Sequence, residues 1–226
     1  MGSVKHSLLI SLYVQIITTF VGLIAIFINL SEKDLVLRDI LTMETIVQII
    51  EFIFYLWFSY FYNKNVDKTD ITKYRYYDWV LTTPLMLLST IIYFEYNYYE
   101  KENRKLTFTG FIHDKSREIL KIFAYNFLML FVGYLQETGT INIWISTIVG
   151  FGFFYLTFSS IYNNFAIKSE KNMPIFYILV TLWGLYGIAA MLPLIQKNVS
   201  YNILDIFSKN FYGLFLVYII WTKRIM

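Results

Sequence analysis

The chain has 226 residues, of which 57% are hydrophobic and 15% charged, and its mean hydropathy is +0.52. Soluble domains are only about 45–50% apolar, so this composition excludes an ordinary soluble domain and predicts an integral, multi-pass membrane protein. The formal net charge of +3 is too small to indicate a nucleic-acid partner. The absence of cysteine excludes thiolate metal sites, and two distant histidines argue against a histidine metal centre.

Apolar stretches divide the chain into seven predicted membrane-spanning helices. The N-terminal lysine precedes a long apolar run without a small-residue cleavage site, which indicates a retained first helix. The connections are polar or charged, as segments outside the hydrocarbon must be. We therefore expect residues 1–226 to form one all-α, seven-helix transmembrane domain in the lipid bilayer, with room for a short ordered excursion in the third connection. The predicted spans are about 7–30, 40–62, 74–98, 118–136, 140–167, 173–194 and 199–222.

The distribution of lysine and arginine predicts the orientation of the bundle. If the first span starts outside, the inner connections and the tail hold most of the basic residues, which predicts an extracellular N-terminus and a cytoplasmic C-terminus. The inner set is Lys33, Arg38, Lys101, Arg104, Lys105, Lys115, Arg117, Lys168, Lys171, Lys223 and Arg224. The outer set is Lys5, Lys64, Lys68, Lys73 and Lys197.

A small group of charged residues falls inside the predicted spans, where an ionised side chain costs at least about 2–3 kcal/mol and is usually paired and functional. Glu44 could instead extend to water from a helix end. The Lys209 side chain cannot reach water in this way, because it lies near the middle of the seventh span. The group is Glu44 and Glu51 in the second span, Arg75 and Asp78 in the third, and Asp205 and Lys209 in the seventh.

Lys209 and Asp205 are four residues apart, so both side chains fall on one face of a helix. Burial alone would keep the lysine neutral and nucleophilic, whereas a nearby carboxylate stabilises a cation on its nitrogen. This is the environment that a Schiff base with a carbonyl ligand requires. Asp78 would supply a second anionic partner, and Arg75, one turn earlier, would balance the surplus negative charge.

The third and seventh spans resemble those of the microbial rhodopsins. The pattern R-x-x-D-W-x-x-T-T-P-L runs from Arg75 to Leu85, and D-x-x-x-K is met by Asp205 and Lys209. The resemblance covers all seven spans and implies all-trans retinal linked to Lys209, with Asp78 and Asp205 as counterions. Composition and short loops, together with these motifs, are also similar to those of the rhodopsins of large algal viruses, and the glutamates of the second span fit the branch of that group that resembles light-gated cation channels. The implied retinal-binding residues are Lys209, Asp78, Asp205, Arg75, Trp79, Thr82, Thr83, Met129, Gly133, Trp183 and Tyr186, with Trp144 more loosely aligned.

Several positions depart from the family pattern. Gly187 and Ala190 replace a proline and a tryptophan in the sixth span, so we expect a looser pocket near the retinal ring. Ser89 stands eleven residues after Asp78, where outward proton pumps usually keep a carboxylic donor. Serine cannot give up a proton near neutral pH. The last outer connection also has no glutamate where many pumps keep a proton-release group. Both departures argue against a proton pump.

Glu44 and Glu51 are seven residues apart and share a face of the second span. Carboxylates in this place resemble those of the channelrhodopsins, whose cation path is lined by glutamates there. If Tyr55 hydrogen-bonds to the seventh-span counterion, this face points into the bundle, with Glu44 near Ser89 and Glu51 nearer the Schiff base. The predicted ion pathway comprises Glu44, Glu51, Ser11, Gln15, Ser89, Asn198, Asn202, Tyr55 and Asn126, of which Asn126 would pair with Thr83.

We therefore expect a retinal photoreceptor, and not an enzyme, that acts as a light-gated channel for monovalent cations or protons. One alternative is an outward proton pump in which Glu44 is a displaced proton donor. Another is a photosensor, for which the short C-terminal tail offers little support. The family resemblance also leaves a homo-oligomer open, because no residue selects an oligomeric state.

Overall fold

The computed structural model describes residues 2–63 and 70–225 and is a bundle of long helices. Seven helices in this part of the chain are long and apolar enough to cross a membrane, which confirms the predicted all-α seven-span fold. The second predicted connection, 63–73, lies largely outside the described residues. The helices are α1 (Gly2–Ala25), α2 (Leu35–Asn63), α3 (Asp70–Lys101), α4 (Phe108–Asp114), α5 (Ser116–Glu137), α6 (Ile143–Asn164), α7 (Met173–Ala189), α8 (Leu194–Asp205) and α9 (Tyr212–Thr222).

One short helix lies outside the seven spans, and one span contains an irregular segment. The short helix α4 lies in the third connection, where the sequence has room for an ordered excursion. The seventh span runs from Leu194 to Thr222 and contains a π-helical segment, Ile206–Phe211, between α8 and α9. Such i→i+5 segments insert an extra residue into a helix and are frequent at functional sites.

The seventh span begins earlier than residue 199, the predicted start. Lys197 and Asn198, which we assigned to an outer connection, lie inside α8. Lys197 Nζ donates to Glu137 Oε1 at 2.7 Å, and both side chains are at most 9% exposed. A paired charge can lie within a buried helix. The polar residues that set the predicted start of the seventh span therefore lie inside the helix and not before it.

The last turns of α3 bind several segments at the predicted cytoplasmic end. Glu95 accepts from Lys168 at 2.7 Å, and Asn97 donates to Asn172 at 2.8 Å. Glu100 pairs with both Lys171 and Lys223. Glu95 is only 3% exposed and is a further charge inside the third predicted span, beyond the group of six named above. These contacts join the third span to the end of the fifth, the start of the sixth and the end of the seventh.

Apolar side chains fill the bundle between this end and Glu44. They come from α2, α3 and α9, and each is at most 1% exposed. The residues are Leu37, Ile40, Ile91, Phe94, Leu216 and Ile220. They belong to one hydrophobic core cluster, which closes the predicted cytoplasmic half of the bundle.

Candidate functional site

Lys209 lies in the π-helical segment and meets three carboxyl groups. Its Nζ atom donates to Asp78 Oδ2 at 2.8 Å and lies 3.3 Å from Glu51 Oε1 and 3.5 Å from Asp205 Oδ1. All four side chains are at most 3% exposed. A buried ammonium persists only with such partners. The structure therefore brings together Lys209, Asp78 and Asp205, and adds Glu51, which we had assigned only to an ion pathway.

Asp205 is held by donors from two other helices. Tyr55 OH donates to Oδ2 at 2.6 Å, and Tyr186 OH donates to Oδ1 at 2.7 Å. The Arg75 guanidinium lies 3.6 Å from the same carboxyl group. Hydrogen bonds and a nearby cation stabilise the ionised form of a carboxyl group, and Asp205 has both kinds of contact. The contact expected of Tyr55 is present.

Arg75 closes the site on the predicted extracellular side. Its Nη2 donates to Asn202 Oδ1 at 2.5 Å, and its Nε donates to Asn198 Oδ1 at 3.3 Å. The guanidinium carbon also lies 5.6 Å from the centroid of the Tyr201 ring. Asn202 Nδ2 donates in turn to Ser7 at 2.9 Å. Both asparagines of the predicted ion pathway are thus hydrogen-bonded to Arg75 in this state.

An aromatic cavity extends from Lys209 between α3, α5, α6 and α7. Six of the predicted retinal-binding residues line it together with Lys209: Trp79, Thr83, Met129, Gly133, Trp183 and Tyr186. Further lining residues that sequence reasoning missed include Tyr76, Met86, Phe151, Phe154 and Tyr201. The sequence could have identified Tyr76 and Tyr201, because they stand one helical turn before Trp79 and Asp205 respectively and so share their helix faces.

Gly133 permits the close approach of Tyr76. A Cβ atom at Gly133 would lie 2.6 Å from the Tyr76 hydroxyl oxygen, far inside normal contact. Gly187 has the same relation to Phe151, whose Cζ would be 2.7 Å from a Cβ at that glycine. The expectation of a looser pocket at Gly187 therefore requires correction, because the Phe151 ring fills the space.

Two other candidates lie outside the cavity. Trp144 is 64% exposed near the start of α6, so it does not line the cavity, and the loose alignment of this helix was misleading. The α6 residues that do line it are Ser146, Thr147, Gly150, Phe151 and Phe154. Thr82 is fully buried, but its hydroxyl donates to the backbone carbonyl of Asp78 at 3.0 Å.

Glu44, Gln48, Glu51 and Tyr55 form a stripe along α2. They follow one another at intervals of four, three and four residues, which places them on one helix face, and each is at most 2% exposed. Ser89 Oγ donates to Glu44 Oε1, so the two residues are neighbours, as their positions in the sequence predict. Four oxygens of the stripe have no hydrogen-bond partner among the described residues: Glu44 Oε2, Gln48 Oε1 and both carboxyl oxygens of Glu51.

Polar residues of α1 and α5 complete the predicted set. Gln15 Nε2 donates to Ser11 Oγ at 3.2 Å, and both side chains are fully buried. Thr18 Oγ1 donates to Asn210 Oδ1 at 2.5 Å; Asn210, a polar residue next to Lys209 inside an apolar span, was not singled out. Asn126 Nδ2 donates to Thr83 Oγ1 at 2.8 Å, which links α5 to α3 in the expected way.

Comparison with known proteins agrees with this geometry. The profile of the bacteriorhodopsin-like proteins matches residues 6–223, whereas no curated protein matches the chain. The crystal structure of viral rhodopsin OLPVRII is similar with a TM-score of 0.85 and 26% identity, covering 97% of this chain and 98% of that one. The prediction of a microbial rhodopsin most like the viral ones is confirmed.

Two further structures share the fold at lower identity. Blue light-absorbing proteorhodopsin from Med12 has a TM-score of 0.73 and 18% identity over 97% of both chains. Xanthorhodopsin, a light-driven ion pump with a dual chromophore, has a TM-score of 0.71 and 19% identity over 98% of this chain and 93% of its own. Family membership implies a retinal chromophore. The chain belongs to the bacteriorhodopsin-like family of integral, multi-pass membrane proteins.

Proposed function

We propose that the chain binds all-trans retinal at Lys209 and acts as a light-gated cation channel. The residues fit this chromophore, because a buried amine stands at one end of an aromatic cavity and three carboxyl groups lie close enough to neutralise a cation on its nitrogen. Bound as a Schiff base, retinal would supply light absorption and a light-driven change of shape. The protein supplies the orientation, the counterions and the path.

The observation that carries the channel is a set of three buried polar stripes. Each stripe repeats every three or four residues, as one face of a helix does. A hydrogen bond between Thr18 and Asn210 ties the α1 stripe to the seventh span, and one between Tyr55 and Asp205 joins the α2 stripe to the seventh-span stripe. No member is more than 4% exposed. The stripes are Ser11, Gln15 and Thr18 on α1; Glu44, Gln48, Glu51 and Tyr55 on α2; and Asn198, Asn202, Asp205 and Lys209 on the seventh span.

The three stripes together form a polar column, and the unpartnered oxygens of the α2 stripe supply hydrogen-bond acceptors along it. A buried oxygen without a hydrogen bond costs about 1–3 kcal/mol, and these atoms at Glu44, Gln48 and Glu51 follow one helix face. Water or a partly hydrated cation would satisfy them. Carboxylate and amide oxygens along a narrow path are the groups that select cations in other channels.

Both ends of the column are closed in the described state. Arg75 and its two asparagine partners stand at the predicted extracellular end. The apolar cluster around Ile40 and Ile91 stands between Glu44 and the predicted cytoplasmic end. Conduction therefore requires light to separate helices at the apolar end and to move the Arg75 side chain at the other.

Asp78 is the proposed proton acceptor during this change. Its Oδ2 accepts a hydrogen bond from Lys209 Nζ at 2.8 Å, while its Oδ1 has no partner among the described residues. Asp205 is held by two phenols and Arg75, which stabilise its anion. A proton that leaves the Lys209 nitrogen therefore reaches Asp78 more readily than Asp205, and loss of the buried cation weakens the contacts between the third and seventh spans.

An outward proton pump is the second candidate, and the contact between Glu44 and Ser89 favours it. Ser89 occupies the third-span position where pumps keep a carboxylic donor, and here it donates a hydrogen bond to a carboxyl group from α2. Glu44 could thus return a proton towards the Lys209 nitrogen past Gln48 and Glu51.

Photocurrents at varied membrane voltage test the proposal. Cells that express the chain and receive all-trans retinal should give a current under light that reverses sign when the cation gradient is opposed by voltage. A current that keeps one direction at every voltage would indicate the pump, and the absence of any current in a coloured protein would indicate a photosensor. The Lys209→Ala variant serves as the control, because it should show neither colour nor current.

A further inference from the structure

Three carboxyl groups face two cations at the centre of the bundle. Glu51, Asp78 and Asp205 lie within 3.5 Å of Lys209 Nζ, and Arg75 lies 3.6 Å from Asp205. If every group were ionised, three negative charges would oppose two positive ones. The count is the same when the Lys209 nitrogen is a protonated Schiff base. An uncompensated charge is costly at a buried site, so one of the three carboxyl groups is expected to hold a proton.

The hydrogen bonds of the three carboxyl groups differ. Asp205 accepts from two phenols, and Asp78 accepts from the Lys209 amine. Neither oxygen of Glu51 accepts a hydrogen bond among the described residues, although Oε1 lies 3.3 Å from Lys209 Nζ. Hydrogen bonds to a carboxylate favour the ionised form. Glu51 is thus the carboxyl group with the least support for a negative charge.

We propose that Glu51 holds the surplus proton of this cluster in the dark and releases it at alkaline pH, when it becomes a third counterion. This inference rests on the proposed link between retinal and Lys209. The charged and titratable groups around Glu51 are Tyr55 on its own helix, Asp78 on α3, Tyr186 on α7, and Asp205 and Lys209 on the seventh span, and Arg75 lies beyond them against Asp205.

Release of this proton has a visible consequence. The Glu51 carboxyl O–H bond breaks, the proton passes to solvent, and a negative charge stays near the Lys209 nitrogen. In a protonated retinal Schiff base, light moves positive charge away from that nitrogen. A negative charge there stabilises the ground state more than the excited state, because Coulomb energy falls with distance. Raising the pH should therefore shift the dark absorption band to shorter wavelength.

The test compares the wild type with Glu51→Gln, Glu44→Gln and Asp78→Asn after addition of all-trans retinal. The dark absorption and infrared spectra are titrated from neutral to alkaline pH. The wild type and Glu44→Gln should show the shift together with loss of one protonated-carboxyl C=O band. Glu51→Gln should keep the neutral-pH colour and lose both changes. A shift retained by Glu51→Gln, or abolished only by Asp78→Asn, would overturn the proposal.

Two further measurements separate the possible failures. A wild type that stays colourless with retinal overturns the link to Lys209. Infrared titration of the retinal-free chain then tests proton storage by Glu51 alone. The wild type should lose, at alkaline pH, a carboxyl band that Glu51→Gln lacks. If Glu51→Gln does not fold, Glu51→Asp replaces it. That variant keeps an acid and should keep the transition with a displaced midpoint, and an unchanged midpoint would count against Glu51.

Discussion

Glu44 of α2 accepts a hydrogen bond from Ser89 of α3 in the half of the bundle that lies between Lys209 and the predicted cytoplasmic end. Both side chains are fully buried. The carboxyl group that the third span lacks at Ser89 is thus supplied by a neighbouring helix. Both transport mechanisms considered above use the Glu44 carboxyl group.

Replacement of Glu44 by glutamine should lower the light-driven current. The substitution keeps the size of the side chain but removes its charge and its acidic proton. The interaction lost is that between the Glu44 carboxyl group and the transported cation or proton, which we take as about 1–1.5 kcal/mol. Because 1.4 kcal/mol corresponds to a factor of ten, the current should fall roughly tenfold. Ser89→Ala, which leaves the Glu44 carboxyl group in place, is the matched comparison. An unreduced current in Glu44→Gln would remove Glu44 from the path.

Replacement of Lys209 by alanine should abolish colour and lower stability. Three buried carboxyl groups lose their shared cation, and removal of one partner from a buried ion pair costs about 3–5 kcal/mol. Absorbance after retinal addition and thermal unfolding in detergent measure the two effects. Lys223→Ala is the control, because Lys223 lies just after the end of the seventh span, is 34% exposed and pairs with Glu100 of α3. Visible absorbance in Lys209→Ala would contradict the proposed linkage.

Replacement of Gly187 by alanine should disturb the aromatic cavity. The new Cβ would lie 2.7 Å from Phe151 Cζ, and overpacking of this kind costs about 1–3 kcal/mol. Thermal unfolding and the extent of retinal binding report the change. Gly152→Ala is a matched control on the facing helix, since Gly152 does not line the cavity and no atom of the described residues lies within 4 Å of its Cβ position.

The clash at Gly187 also predicts a rescue. Phe151→Leu removes the end of the ring that the alanine would meet, so the double variant should regain most of the stability lost by Gly187→Ala. Residues in contact show such non-additive effects, and a double-mutant cycle measures them. Additive losses in the double variant would show that the two positions do not interact.

Replacement of Glu95 by glutamine should destabilise the predicted cytoplasmic end. Glu95 pairs with Lys168 at 2.7 Å, and the two side chains are 4% and 25% exposed. Partial exposure of the lysine screens the pair, so we expect a loss of about 1–2 kcal/mol, between the values for surface and buried pairs. Glu102→Gln is the control, because its pair with Arg104 is exposed and should contribute under about 1 kcal/mol. Equal unfolding temperatures for the two variants would contradict this difference.

The sequence alone was sufficient for the seven spans and for the main members of the charge cluster. Hydrophobic length identifies a span because each crossing needs about 20 apolar residues. An ionised residue inside a span is costly enough to stand out, which drew attention to Lys209, Asp78 and Asp205. The spacing of Glu44 and Glu51 identified one face of α2, and the structure brings that face to Ser89 and Lys209.

Other features depended on contacts between helices that are distant in the chain. The charge of Lys197 is buried within a helix because Glu137 of another span pairs with it. Phe151 fills the space at Gly187, and Tyr201 lines the cavity. Local pattern determines which residues share a helix face, since that face repeats every 3.6 residues. The crossing and rotation of helices decide which faces meet, and only the packed bundle determines that Glu51 lies within 3.3 Å of Lys209.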